Sequence, residues 1–169
     1  MKKKRRALRI CLLLCFLCLL MLSSCTEETS AGDVLEELCD LTPSLPFGRH
    51  YRPDVSPEDP SYPSEELLAV AFGDGNLPSV LSEVRDSAFY FSLHDACELS
   101  LFYCERAGTA RDVERLCLER LDRLRHYWNA DPTAAALLDG AAVLRHGHWV
   151  LLAITPTPKE TARAFFRIT

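Results

Sequence analysis

Apolar and polar positions change period several times along this chain, and each change marks an element. Val34, Leu35, Leu38 and Leu41 recur at helical spacing, which predicts a short helix over 33–41. Ser64 is a good N-cap, and Glu65 and Glu66 put negative charge in the first turn of a helix over 64–72 that Asp74-Gly75 ends. Positions 77–84 add a further helical turn or two. The period then shortens to two. Phe89, Phe91 and Leu93 alternate with Tyr90 and Ser92. After His94-Asp95-Ala96, the residues Cys97, Leu99, Leu101 and Tyr103 alternate with Glu98, Ser100 and Phe102. These are two strands joined by a short turn.

The longest helix is predicted over 109–128. Thr109 and Asp112 approximate a capping box, and Val113, Leu116, Cys117, Leu121, Leu124 and Trp128 form one apolar stripe. Asp131-Pro132 pairs an N-cap with proline at N1 and opens an Ala-rich helix that Gly140 ends. Positions 141–145 and 149–155 bracket His146-Gly147-His148 as a second hairpin, with Gly147 at a turn position that favours positive φ. Thr157-Pro158-Lys159-Glu160 reads as a capping box and starts a last helix carrying Ala162, Phe165 and Phe166. The order is two strands, long helix, two strands, helix. The expected fold class is α+β: a four-stranded, largely antiparallel sheet of two hairpins, with helices packed on one face.

The N-terminus follows a different logic. Lys2, Lys3, Lys4, Arg5, Arg6 and Arg9 form a basic segment, and an unbroken apolar run from Ile10 to Leu22 follows it. Thirteen helical residues span about 20 Å, short of the roughly 30 Å hydrocarbon core of a bilayer. The run therefore fits the apolar region of an export signal. It ends in Leu22-Ser23-Ser24-Cys25, which resembles a lipobox, the processing site of bacterial lipoprotein precursors. That resemblance implies diacylglycerol in thioether linkage at Cys25 and cleavage before it. A thiol is required because its thiolate takes the lipid. The organisation expected is a signal over 1–24, a lipidated tether over 25–32, a short helix and Pro-rich loop over 33–63, and an α+β domain over 64–169. Within the loop, Pro43, Pro46, Pro53, Pro57, Pro60 and Pro63 argue for irregular structure.

Charge and cysteine placement then narrow the possibilities. Removing residues 1–24 leaves 13 basic against 24 acidic residues, a net charge of 13 − 24 = −11. A domain that acidic repels phosphate backbones and anionic lipid surfaces, so no nucleic-acid partner is expected. Membrane attachment falls to Cys25. Cys11, Cys15 and Cys18 leave with the signal, so Cys39, Cys97, Cys104 and Cys117 remain, and four cysteines allow three pairings. Cys97 and Cys104 lie seven apart on one strand and face opposite sides, so they cannot pair. Cys117 on the helix could meet Cys97 in the core, as a disulfide or as buried free thiols.

From Ala96 onward the pattern is that of a known group. Ala96-Cys97-Glu98-Leu99-Ser100-Leu101 leads into a helix carrying Glu119-Arg120-Leu121. Asp139-Gly140-Ala141-Ala142-Val143 and Gly147-His148-Trp149-Val150-Leu151-Leu152 follow. This resembles the bacterial lipoproteins grouped as domain of unknown function 4358, over roughly residues 60–168. The resemblance implies a small exported α+β domain behind a lipidated cysteine in a one-membrane envelope, with Glu98, Arg120 and Gly147 as its most family-like positions. It implies no activity, no catalytic residue and no cofactor.

Among polar residues, His94 and Asp95 belong to one hairpin turn, and His146 and His148 to the other. Were the tips to meet, they would offer imidazoles and a carboxylate to zinc or to hydrolytic chemistry. Turn chemistry alone also accounts for such residues. Glu98 and Arg120 could form an ion pair if the long helix covers that side of the sheet. Phe47, Tyr51, Tyr62 and the prolines make either a recognition loop or a cover for the domain's own surface. The expected role is a non-enzymatic binding module, lipid-anchored on the extracytoplasmic face of the cell membrane, with an envelope protein or ligand as partner. The alternatives are an envelope enzyme with a site at the hairpin tips and an accessory subunit of a transporter.

Overall fold

The computed structural model describes residues 29–169; the expected signal and the Leu22-Ser23-Ser24-Cys25 site lie outside the described residues. Chain order is α1 (Ala31–Leu41), β1 (Gly48–Tyr51), α2 (Glu65–Phe72), a 3₁₀ turn (Ser79–Glu83), β2 (Asp86–Ser92), β3 (Glu98–Tyr103), α3 (Ala107–Tyr127), α4 (Pro132–Asp139), β4 (Ala142–His146), β5 (Trp149–Ile154) and α5 (Pro158–Ile168). The fold is α+β. Its sheet is wholly antiparallel in the order β1-β2-β3-β5-β4, which puts β3 and β5 near the middle.

Two expectations about this sheet are corrected. It has five strands, because the Pro-rich segment donates β1 to the edge, where Gly48 pairs with Ser92 and Tyr51 with Phe89. Four residues reading Gly-Arg-His-Tyr carry no alternation, so no periodic signal marks them. The helices also cover both faces. Ala88, Tyr90, Leu99, Leu101, Leu151 and Ala153 face α1 and α5, meeting Val34, Leu35, Leu38 and Phe165. Phe89, Phe102, Val150, Leu152 and Ile154 face α2, α3 and α4, meeting Phe72, Val113, Cys117, Leu121 and Leu138. Both sides of β2, β3 and β5 are therefore core. The polar positions Glu98 and Ser100, which alternation alone would put in water, are 3% and 0% exposed.

Capping follows the sequence in part. Ser64 Oγ accepts from Leu67 N, and Asp131 caps α4 by accepting from Thr133 N and Ala134 N, with Pro132 at N1. Ser30 caps α1 by accepting from Asp33 N, so the helix takes in Ala31 and Gly32 and leaves less tether than expected. Thr109 is not a cap. Helix α3 starts earlier, at Ala107 behind Arg106, and the buried Thr109 hydroxyl donates to Glu83 Oε2 at 3.1 Å. Thr157 likewise makes no side-chain cap; its hydroxyl donates to the Pro43 carbonyl at 3.2 Å. Gly147 holds φ at +58° in the β4–β5 turn, a conformation that glycine adopts without steric cost.

Candidate functional site

Register decides the fate of the hairpin tips. In the β3–β5 ladder Glu98 faces Ile154 and Tyr103 faces Trp149. The β2–β3 turn, with His94 and Asp95, therefore leaves one end of the sheet, and the β4–β5 turn, with His146 and His148, leaves the other. At about 3.3 Å per strand residue, the tips lie about 20 Å apart. The two tips do not meet, as the alternative of an envelope enzyme at the hairpin tips would require, and no single metal or hydrolytic site can use both. Asp95, His146 and His148 each have a partner at their own end of the sheet instead. Asp95 Oδ1 accepts from Cys97 N at 2.9 Å, an Asx turn. His146 Nδ1 lies 3.1 Å from Thr169 Oγ1, and His148 Nδ1 lies 2.6 Å from the Cys104 carbonyl. Among the described residues, no three His, Cys, Asp or Glu side chains are grouped to hold a metal.

Glu98 and Arg120 do meet, because α3 crosses the Phe102 face of the sheet. Arg120 Nε donates to Glu98 Oε1 at 2.8 Å and Nη2 donates to Oε2 at 2.6 Å, a two-point match of guanidinium fork to carboxylate. Ser100 Oγ donates to Glu98 Oε1 at 2.6 Å. Arg120 Nη1 donates to the Ala71 carbonyl in the last turn of α2, which Arg123 Nη2 also reaches at 3.3 Å. The guanidinium carbon lies 5.1 Å from the Phe72 ring centre and 5.6 Å from that of Phe91. The side chains of Glu98 and Arg120 are 3% and 14% exposed. Each of the three guanidinium nitrogens donates within the protein, so the pair ties α2, β3 and α3 together and keeps the Glu98 carboxylate out of water.

The thiols are equally withdrawn. Cys39, Cys97, Cys104 and Cys117 are free, and all but the half-buried Cys39 are buried. Burial is the main cause that pushes Cys39 and Cys97 up to about 12, with the carboxylate of Asp95 adding to it at Cys97 and those of Asp40 and Glu36 at Cys39. Burial raises Cys104 to about 11 and holds Cys117 well above the ordinary thiol range. At neutral pH these are thiols and poor nucleophiles.

Among the open surfaces, two lie at opposite ends of the sheet. At the β2–β3 turn, Phe47 is 76% and Leu93 47% exposed, and Leu93 N donates to the Phe47 carbonyl at 3.4 Å. They sit as cross-strand neighbours one step beyond the Gly48–Ser92 pair. The loop that carries Phe47 otherwise lies on the domain. Tyr51 packs on Phe91 at 5.7 Å between ring centres, and Arg52 pairs with Asp54 at 2.9 Å and with Glu36 of α1 at 2.7 Å. At the other end, a groove of about 470 Å³ is lined by Thr29, Ser30, Arg85, Asp86, Tyr103 and Trp149. The Phe47 surface lies in the loop that composition singled out. Leu93 reads as one more inward position of a strand, and only the turn geometry exposes it. Compared with protein-family models, curated proteins and solved structures, the chain matches none.

Proposed function

We propose that the chain is an exported lipoprotein, held on the extracytoplasmic face of the cell membrane by diacylglycerol on Cys25. Its domain binds an envelope protein through the end that carries Phe47 and Leu93. The observation that carries the binding reading is that exposed apolar pair, placed at the sheet end away from Thr29, where the chain enters the fold. A tethered domain presents its far end to partners most freely. The groups that could do chemistry support the same reading, since Glu98 is spent on Arg120 and the thiols are protonated. The anchor reading rests on the basic segment, the apolar run and Leu22-Ser23-Ser24-Cys25. The resemblance to domain of unknown function 4358 lipoproteins belongs to this reading as well.

The test is chemical cross-linking in the protein's own cells, followed by mass spectrometry of the membrane fraction. A diacylated Cys25 peptide and one dominant neighbour linked near 47 or 93 support the proposal. A transporter permease as that neighbour would make the domain its accessory subunit. An unmodified Cys25 overturns the anchor, and links scattered over all faces overturn the binding surface.

A further inference from the structure

The groove at the entry end has a second use. Four peptide links separate Cys25 from Thr29, and a fully extended chain of that length reaches only about 14 Å. From Ser30 onward the chain is held. Ser30 caps α1, and Ala31 N donates to Asp86 Oδ2 at 2.7 Å, at the first residue of β2. A lipid on Cys25 therefore lies within about 14 Å of Thr29 and brings this end of the sheet close to the membrane surface.

The residues gathered there suit that surface. Tyr103 and Trp149 are cross-strand partners with ring centres 4.8 Å apart, and both are half-buried at the groove. Arg85 lies over the Tyr103 ring at 5.9 Å. Phe166 of α5, 48% exposed, flanks them through His146, whose ring centre lies 5.6 Å away. Tryptophan and tyrosine favour the headgroup layer because one part of each ring is apolar and the other hydrogen-bonds. The acidic groups at this end are partly occupied: Asp86 accepts from Ala31 N, Glu105 pairs with Arg85 at 3.4 Å, and Glu83 pairs with Arg106.

The geometry points to this end as a membrane-docking face, with Trp149, Tyr103 and Phe166 seated in the headgroup layer of a bilayer while Phe47 and Leu93 face away from it. This inference rests on the anchor at Cys25. Trp128, which caps the C-terminus of the 21-residue α3, supplies an internal control. A helix of that length spans about 31 Å, and it runs from the Tyr103 end toward and past Glu98, so Trp128 stands far from the docking face.

The test uses the full lipidated chain, carrying Trp128→Phe or Trp149→Phe so that each of the two tryptophans is read alone. Each variant is reconstituted in phosphatidylcholine vesicles bearing a headgroup spin label. The expected result is flotation with the vesicles, a blue shift and strong quenching of Trp149, and little quenching of Trp128. Flotation with Trp149 quenched no more than Trp128 overturns the docking face alone. Failure to float overturns the anchor and the docking with it. Circular dichroism of each variant shows whether the fold is intact, and Phe166→Glu, which changes an exposed position, should float yet lose part of the Trp149 quenching; unchanged quenching in that variant also counts against the face.

Discussion

Arg120 lays its guanidinium along the carboxylate of Glu98, with Nε at 2.8 Å from Oε1 and Nη2 at 2.6 Å from Oε2, beneath a helix that hides both from water. The two residues are 22 apart in sequence and come from a central strand and the helix that crosses it. Arg120→Met would strand a buried carboxylate, at a cost of about 3–5 kcal/mol. Replacing Glu98 and Arg120 together by Leu and Met should cost less than the sum of the single changes. Urea unfolding of the four proteins of this cycle checks both statements, and additive losses would show that the pair is not coupled.

Edge strand β1 depends on a missing side chain. A Cβ at Gly48 would lie 2.6 Å from the Phe91 carbonyl oxygen and from ring carbons of Tyr90. Gly48→Ala should therefore cost about 1–3 kcal/mol, as overpacking does. Hydrogen exchange should show the loss in β1 first, since one neighbour alone holds it.

Thiol chemistry should be silent in the native state. Iodoacetamide at pH 8 should label Cys39 slowly and Cys97, Cys104 and Cys117 only on unfolding. The same burial makes stability fall at alkaline pH. The folded values of Cys39 and Cys97 lie near 12, above the ordinary 9.0, so the stability is fully present below about 9 and is lost as pH rises from there toward 12. A melting temperature that stays flat across that range would contradict this.

The Arg52 cluster should fail from the acid side. The Arg52 side chain bonded to it holds Asp54 below its ordinary 3.8. Its contribution is present above that value and is lost as pH falls through the lowered folded one. The protection factor of the Arg52 amide, which donates to the Ser61 carbonyl at 2.8 Å, should fall in acid once intrinsic exchange rates are divided out, and in Arg52→Ala already at neutral pH. The rest of the sheet should keep its protection in Arg52→Ala.

Phe47 and Leu93 are exposed, so Phe47→Ser with Leu93→Ser should leave the unfolding free energy within about 0.5 kcal/mol of the parent. The same double change should abolish the dominant cross-link in cells. Retention of that link would place the partner elsewhere.

Much of the fold was legible in the chain because its signals are local. The stripe from Val113 to Trp128, the alternation from Phe89 to Tyr103, and the prolines at 132 and 158 each act over a few residues, and each produced the element expected, with ends shifted as at Ala107. Thr109 and Thr157 carried capping chemistry in sequence only, because tertiary partners, Glu83 and Pro43, took their hydroxyls. The candidate site was legible only as a set of residues. His94, Asp95, His146 and His148 could be assigned to two turns, yet nothing local says which way a hairpin points.

The sequence by itself determined every helix and strand of periodic pattern, their order and the α+β class, along with the net acidity and the composition of the N-terminal segment. Tertiary structure alone decided that both faces of the sheet are buried, that a Gly-Arg-His-Tyr segment joins its edge, and that Glu98 lies under α3 rather than in water. It also decided that β5 inserts between β3 and β4, which sends the two turns to opposite ends. The reason is physical. Periodicity reports which side of an element is apolar over a few residues, whereas strand order and register depend on contacts between segments far apart in the chain.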